Sequence, residues 1–299
     1  MHRKSAVFLI AGAACLLALP NVILAENAEA GRDAQGDREK AYREEGTPEK
    51  MSDMIRLPGG EYRPLISDSS TPKTLVKPFR LDATPVTNRD FARFVAAHPQ
   101  WSPNNILPMF AEPRYLQAWR EATSITPQQI EDPQKPVVNV SWFAARAYCA
   151  AQGKRLPTTA EWEFAGRASA TKVDASRDTD FVQHILAWYA QPASATLPAV
   201  MQSRPNYWGV YDMHGVIWEW TQDFNRTEVP RDQQSNLLTL LINGRQVPVD
   251  VGAFCGAGAA GVSNPSDYAA FMRYSFRRSL KATFVLDTLG FRCAADDGA

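Results

Sequence analysis

A chain of 299 residues with 45% hydrophobic residues and 8 Trp has enough apolar surface to bury a substantial core. Its 32 basic and 32 acidic side chains balance, which excludes the one-sided field of a nucleic-acid binder or of a protein drawn to anionic membranes. Four histidines (His2, His98, His184 and His214) stand singly, none at zinc-ligand spacing, and no serine lies in a nucleophile-elbow sequence.

The chain opens on His2, Arg3 and Lys4, then runs apolar from Ala6 through Leu19 and on to Ala25. That is the charged start, apolar middle and small-residue exit of a secretory signal, cleaved after Ala25 or within Ala28-Glu29-Ala30. Pro20 and the small exit residue favour cleavage over retention as an anchor. Losing Arg3 and Lys4 leaves a small acidic excess, and no later apolar stretch is long enough to span a membrane. Residues 26–50 are almost wholly charged or small and read as a solvated leader. Residues 51–299 contain no repeat and no dividing linker, so they are read as one domain.

Three helices announce themselves in that domain. Thr87-Asn88-Arg89-Asp90 is a capping sequence before Phe91, Phe94 and Val95, which share one helical face. A second helix starts after Ser141, carries Tyr148 and Cys149, and stops at Gly153. The third opens on a capping box, Thr158 with Glu161, and turns Trp162 and Ala165 inward. The remainder reads as short β segments broken by Pro, Gly and Asn. The fold class is therefore α+β, irregular and loop-rich, low in regular secondary structure.

Gly256, Gly258 and Gly261 spell a dinucleotide-binding fingerprint, but its context is wrong. Pro265 interrupts the helix that must follow, and Lys281 stands where an acidic residue is needed. The segment is read as a loop, and no nucleotide cofactor is expected.

Five segments in order resemble the formylglycine-generating-enzyme family: MIRLPGGEY, PFRLDATPVTNRDFARFV, PVVNVSWFAARAYCAAQGKRLPTTAEWEFAGRAS, PNYWGVYDMHGVIWEWTQDF and RYSFRRSLKATFVLDTLGFRCA. They cover most of residues 54–295. The resemblance implies one compact domain related to the C-type-lectin fold. It also implies two cysteines that bind copper(I), soft thiolates being what that ion prefers. Here those positions fall on Asn264 and Ala269, with Cys255 a second candidate for the first, so one thiol at most is available. No copper at a cysteine pair, and no formylglycine-generating activity, is expected. The family's first disulfide maps to Cys149 and Cys293, and both partners of the second are missing, at Gly166 and Tyr274. Cys255 is left unpaired, as a small buried hydrophobe or a reactive thiol.

The WEW stretch alternates, so Trp218 and Trp220 share one face of a strand and Glu219 takes the other. The resemblance implies structural calcium there, held by Glu219 with the backbone carbonyls of His214, Gly215 and Ile217. The plain alternative is that Glu219 accepts hydrogen bonds from loop amides.

Among branches lacking the cysteine pair, the chain most resembles the periplasmic one that matures the siderophore pyoverdine. This implies a periplasmic oxidoreductase that converts dihydropyoverdine to pyoverdine. Its ligand would be a small-molecule or peptide siderophore precursor, and its partners other maturation proteins. Candidate pocket residues are Trp220 and Tyr268 as aromatic walls, Arg277 as an anionic-group anchor, Asn264 as a further substrate contact, and Tyr274 or Cys255 for proton handling. The alternative is a non-catalytic module that holds a siderophore, peptide or sugar on the same fold.

Overall fold

The computed structural model describes residues 54–62, 73–120, 126–191, 196–225, 237–242, 245–250 and 265–298. The signal and leader segments, the GAGAAG loop, Cys255 and Asn264 lie outside the described residues. In chain order come β1 (Ile55–Leu57), β2 (Gly60–Tyr62), β3 (Thr74–Val76), β4 (Phe79–Leu81), α1 (Asn88–Ala97), α2 (Gln117–Arg120), α3 (Trp142–Ala151), α4 (Thr159–Gly166) and α5 (Thr179–Tyr189). Then follow β5 (Trp218–Glu219), β6 (Leu237–Ile242), β7 (Arg245–Asp250), α6 (Pro265–Ser279), β8 (Leu289–Gly290) and β9 (Ala294–Asp296). Strands this short, joined by long loops, make the domain irregular α+β.

The strand order β1-β4-β9 forms an antiparallel sheet, with Leu81 opposite both Ile55 and Ala294. β5 and β8 pair in parallel, with Trp218 opposite Leu289 and Glu219 opposite Gly290. Only glycine fits at position 290, because a Cβ there would lie 2.3 Å from the Val137 carbonyl oxygen.

The three helix starts legible in the sequence are where their caps put them. Thr87 accepts from the Asp90 amide at 3.3 Å and Ser141 from the Ala144 amide at 3.3 Å. The Thr158–Glu161 box closes in both directions, at 3.2 and 2.8 Å. Gly153, with φ +69, follows the end of α3. α4 departs from the expected stripe. Thr159 and the run from Glu161 through Gly166 are all buried, so the helix is enclosed by the domain instead of lying on its surface.

Two long helices were not legible as such. α5 begins at Asp178, whose carboxylate accepts from the Asp180 and Phe181 amides. α6 begins on Pro265 itself. Proline lacks only a donor that the first helical turn leaves unused, and its fixed φ suits that position, so Pro265 starts a helix where it was expected to interrupt one.

The larger core cluster packs α1 and α3 against the WEW strand and the last strands, around Phe91, Tyr148, Trp220 and Phe291. A second surrounds Trp162 and Phe164 of α4. The third, Val182 and Ile185 with Ala269, joins α5 to α6. Cys149 and Cys293 form the disulfide implied by the resemblance, with Cα atoms 5.6 Å apart across 144 residues of chain. Among the described residues, no helix is long and apolar enough to cross a membrane.

Candidate functional site

α5 ends on Trp188 and Tyr189, and β5 begins on Trp218. The Tyr189 and Trp218 rings stack with centroids 5.0 Å apart, Trp188 lies 5.1 Å from Trp218, and Phe276 of α6 packs on Trp218 at 4.4 Å. The half-buried Trp188, Tyr189 and Trp218 rings wall a cleft of about 170 Å³ that Pro198, Val216 and Thr288 also line.

Behind Tyr189 lies a buried ion cluster. Glu163 accepts from Arg273 Nε at 3.0 Å and Nη2 at 2.7 Å, and from Arg277 Nη1 at 2.6 Å. Burial alone would raise the Glu163 carboxyl, but the two guanidiniums overcome that and hold it down at about 2. Arg277 also lies 4.5 Å over the Trp162 ring. Arg273 Nη1 reaches on to donate to the Tyr189 phenol oxygen at 3.3 Å. Burial outweighs the nearby charges and raises the Tyr189 phenol, so it stays protonated at neutral pH. Two guanidiniums facing one carboxylate leave a surplus positive charge next to that phenol.

His214 borders the same cluster. Its Nε2 lies 2.7 Å from the Gly166 carbonyl, which can only accept, so Nε2 carries the hydrogen and Nδ1 is bare. Although part of the residue reaches the surface, Nδ1 is buried and has no partner among the described residues. Burial, reinforced by Arg273, pushes the imidazole down to about 3 and keeps it neutral.

Several expected roles change once the side chains are placed. Trp220 is fully buried and donates its indole N–H to the Val140 carbonyl at 2.9 Å, so it is core, and Trp218 is the WEW ring at the cleft. Arg277 is buried against Glu163 and cannot act as a free anchor for an anionic group. Ala269, at one implied copper position, is 2% exposed and packs between helices. Tyr268 is half-buried on the first turn of α6, and Tyr274 shares a phenol–phenol hydrogen bond with Tyr62. The two cysteines among the described residues are bonded to each other.

Glu219 has partners that neither reading anticipated. Arg292 grips it in a fork, Nε and Nη2 each at 2.8 Å, and the Trp162 indole donates at 2.8 Å, all without exposure to solvent. A carboxylate already neutralised by a guanidinium is a poor cation ligand. Glu219 and the turn of His214, Gly215 and Ile217 therefore do not fit calcium by charge.

Sequence reading missed Trp188, Tyr189, Glu163 and Arg273. The α5 pair was within reach, since Asp178 caps a helix whose Val182 and Ile185 are spaced for burial. Glu163 offered no local signal, its partner Arg273 lying 110 positions away.

These features define a disulfide-closed, loop-built α+β domain whose cleft is assembled from a helix end and a short strand. Residues 40–297 match the family model described as sulfatase-modifying factor enzyme 1-like domain, and the chain belongs to that formylglycine-generating-enzyme family. The Mus musculus protein named inactive C-alpha-formylglycine-generating enzyme 2 is 30% identical over 286 residues, 82% of this chain and 86% of that one. The Streptomyces coelicolor formylglycine-generating enzyme is 27% identical over 300 residues, 83% and 91% of the two chains. Among solved structures, PvdO from Pseudomonas aeruginosa aligns at a TM-score of 0.43 and 18% identity, covering 82% of this chain and 94% of that one.

Proposed function

We propose that this protein is an exported, periplasmic oxidoreductase of siderophore maturation that converts dihydropyoverdine to pyoverdine without a cysteine-pair copper site. The observation that carries the reading is the aromatic cleft at Trp218, opening at the end of the helix on which Ala269 packs. A flat chromophore suits such walls, and a buried alanine supplies no thiolate for copper(I). The oxidation removes two electrons and two protons from the dihydro ring, and dioxygen takes up both to become hydrogen peroxide. An electron-rich catechol-fused ring supplies those electrons itself, which leaves positioning and proton transfer to the protein. Other maturation proteins are its natural partners in delivering the precursor.

The second reading, a non-catalytic binding module, is favoured by the likeness to relatives named as inactive. Purified protein mixed with dihydropyoverdine in air separates the two. The oxidase reading expects many turnovers of fluorescent product per protein, with one peroxide for each product and no effect of copper(I) chelators. Saturable binding without turnover establishes the module. Formylglycine appearing in a sulfatase-type cysteine peptide, detected by mass spectrometry, overturns both.

A further inference from the structure

We propose that the Trp218 cleft is a site for planar, oxygen-bearing aromatic rings of the phenol and catechol class. In this site Tyr189 donates its phenol hydrogen to the ring oxygen of the ligand, and Arg273 is a positioning residue for that donor. The inference rests on the reading of this cleft as the ligand site and names the contact that selects the ligand.

Hydrogen-bond geometry gives Tyr189 a direction. Arg273 Nη1 donates to its oxygen at 3.3 Å, and a guanidinium has no lone pair to accept in return. One lone pair of the phenol is thus occupied from the interior while its own hydrogen has no acceptor on Arg273. Tyr189 lines the cleft, and that hydrogen goes to a ligand oxygen there. The donor is held from both sides. Its ring stacks on Trp218 with an interplanar angle of 16°, and Arg273 is itself fixed by the Glu163 carboxylate and by the Ala269 carbonyl at 3.4 Å. A preformed donor of this kind loses little freedom when a ligand arrives.

Charge and size narrow the ligand further. The surplus guanidinium charge beside Tyr189 favours electron-rich oxygen and disfavours a cationic ring. An apolar cavity of about 150 Å³ accommodates a benzene, so a cleft of about 170 Å³ has room for one aromatic ring system, with the rest of a larger molecule outside.

The test uses full-length mature protein and two probes in calorimetric titrations, 2,3-dihydroxynaphthalene and indole. Both are flat and fused, but indole has only a donor and cannot accept from Tyr189. Tyr189→Phe keeps the ring and removes the hydroxyl. It is expected to weaken dihydroxynaphthalene about two- to tenfold, the range of one net hydrogen bond, and to leave indole unchanged. Arg273→Lys is expected to weaken dihydroxynaphthalene in the wild-type background but to add little on top of Tyr189→Phe, a coupling that a purely structural role does not produce. Should Arg273→Lys fail to fold, the two-probe comparison in Tyr189→Phe decides alone. Equal loss for both probes, no loss for either, or no saturable dihydroxynaphthalene binding overturns the proposal. Binding as described with no dihydropyoverdine turnover defeats only the oxidase reading, and turnover with unchanged affinity in Tyr189→Phe defeats only this one.

Discussion

Replacing Glu163 by Gln should remove a large part of the domain's stability. Glu163 is 2% exposed, and its partners Arg273 and Arg277 have side chains 8% and 5% exposed, so solvent does little to screen the charges left behind. Gln keeps the volume and one acceptor but turns an amide N–H₂ toward two guanidiniums. Breaking a buried pair by removing one partner costs about 3–5 kcal/mol. Linkage gives a similar figure, because a carboxyl held near 2 against an ordinary 4.5 carries about 3 kcal/mol at neutral pH. For a domain of this length each kcal/mol moves the thermal midpoint by about 2–4 °C, so Glu163→Gln should melt about 10 °C lower. The sign in acid follows from the depressed value. The contribution is complete above about 4.5 and lost as pH falls through about 2, so the gap between variant and wild type should narrow over that range. Circular-dichroism melts at pH 7, 4 and 2.5 measure both effects. A midpoint within 2 °C of wild type at pH 7, or a gap undiminished at pH 2.5, would refute the claim that the ionised carboxylate holds the two arginines in place.

Three further outcomes are expected. Mutating both Cys149 and Cys293 to Ala opens a link across 144 residues and should cost about 2–5 kcal/mol in urea unfolding, whereas an unchanged midpoint would mean the strand pairing alone closes the domain. Because folded His214 titrates near 3 against an ordinary 6.5, the unfolded chain takes up a proton below pH 6.5 that the folded protein refuses. Stability should therefore fall by about 2 kcal/mol between pH 7 and pH 5 on this account, and His214→Gln should flatten that slope; an identical slope in the variant would remove His214 as its source. Finally, since Arg292 already balances Glu219, chelation with EGTA should leave the melting midpoint where it was, and a fall that added calcium restores would show that the turn before the WEW strand holds the ion after all.

What could be read without coordinates followed the range of the physics involved. Capping is local, with donor and acceptor three residues apart, so Thr87, Ser141 and Thr158 located three helices from the sequence. The Cys149–Cys293 pairing came from resemblance alone, because nothing near either cysteine specifies a partner so far along the chain. Glu219 and Glu163 were beyond reach for the same reason. Each carboxylate takes its meaning from arginines in the last part of the sequence, Arg292 for one and Arg273 with Arg277 for the other. Trp220 and Trp218 share a strand face, and only packing tells which is walled in and which borders the cleft. Pro265 was misread because its effect depends on whether it starts a helical turn or follows one.

Residues 289–296 tie several separate parts of this domain together. They pair with β4 and β5, bridge to Arg155 through Ala294, send Arg292 into Glu219, and bring Cys293 to α3. Until that stretch is made, β4 has only β1 beside it, the Glu219 charge lacks its guanidinium and Cys149 lacks its partner thiol. Several separate parts of the domain therefore wait on one stretch, and contacts of such long range close slowly.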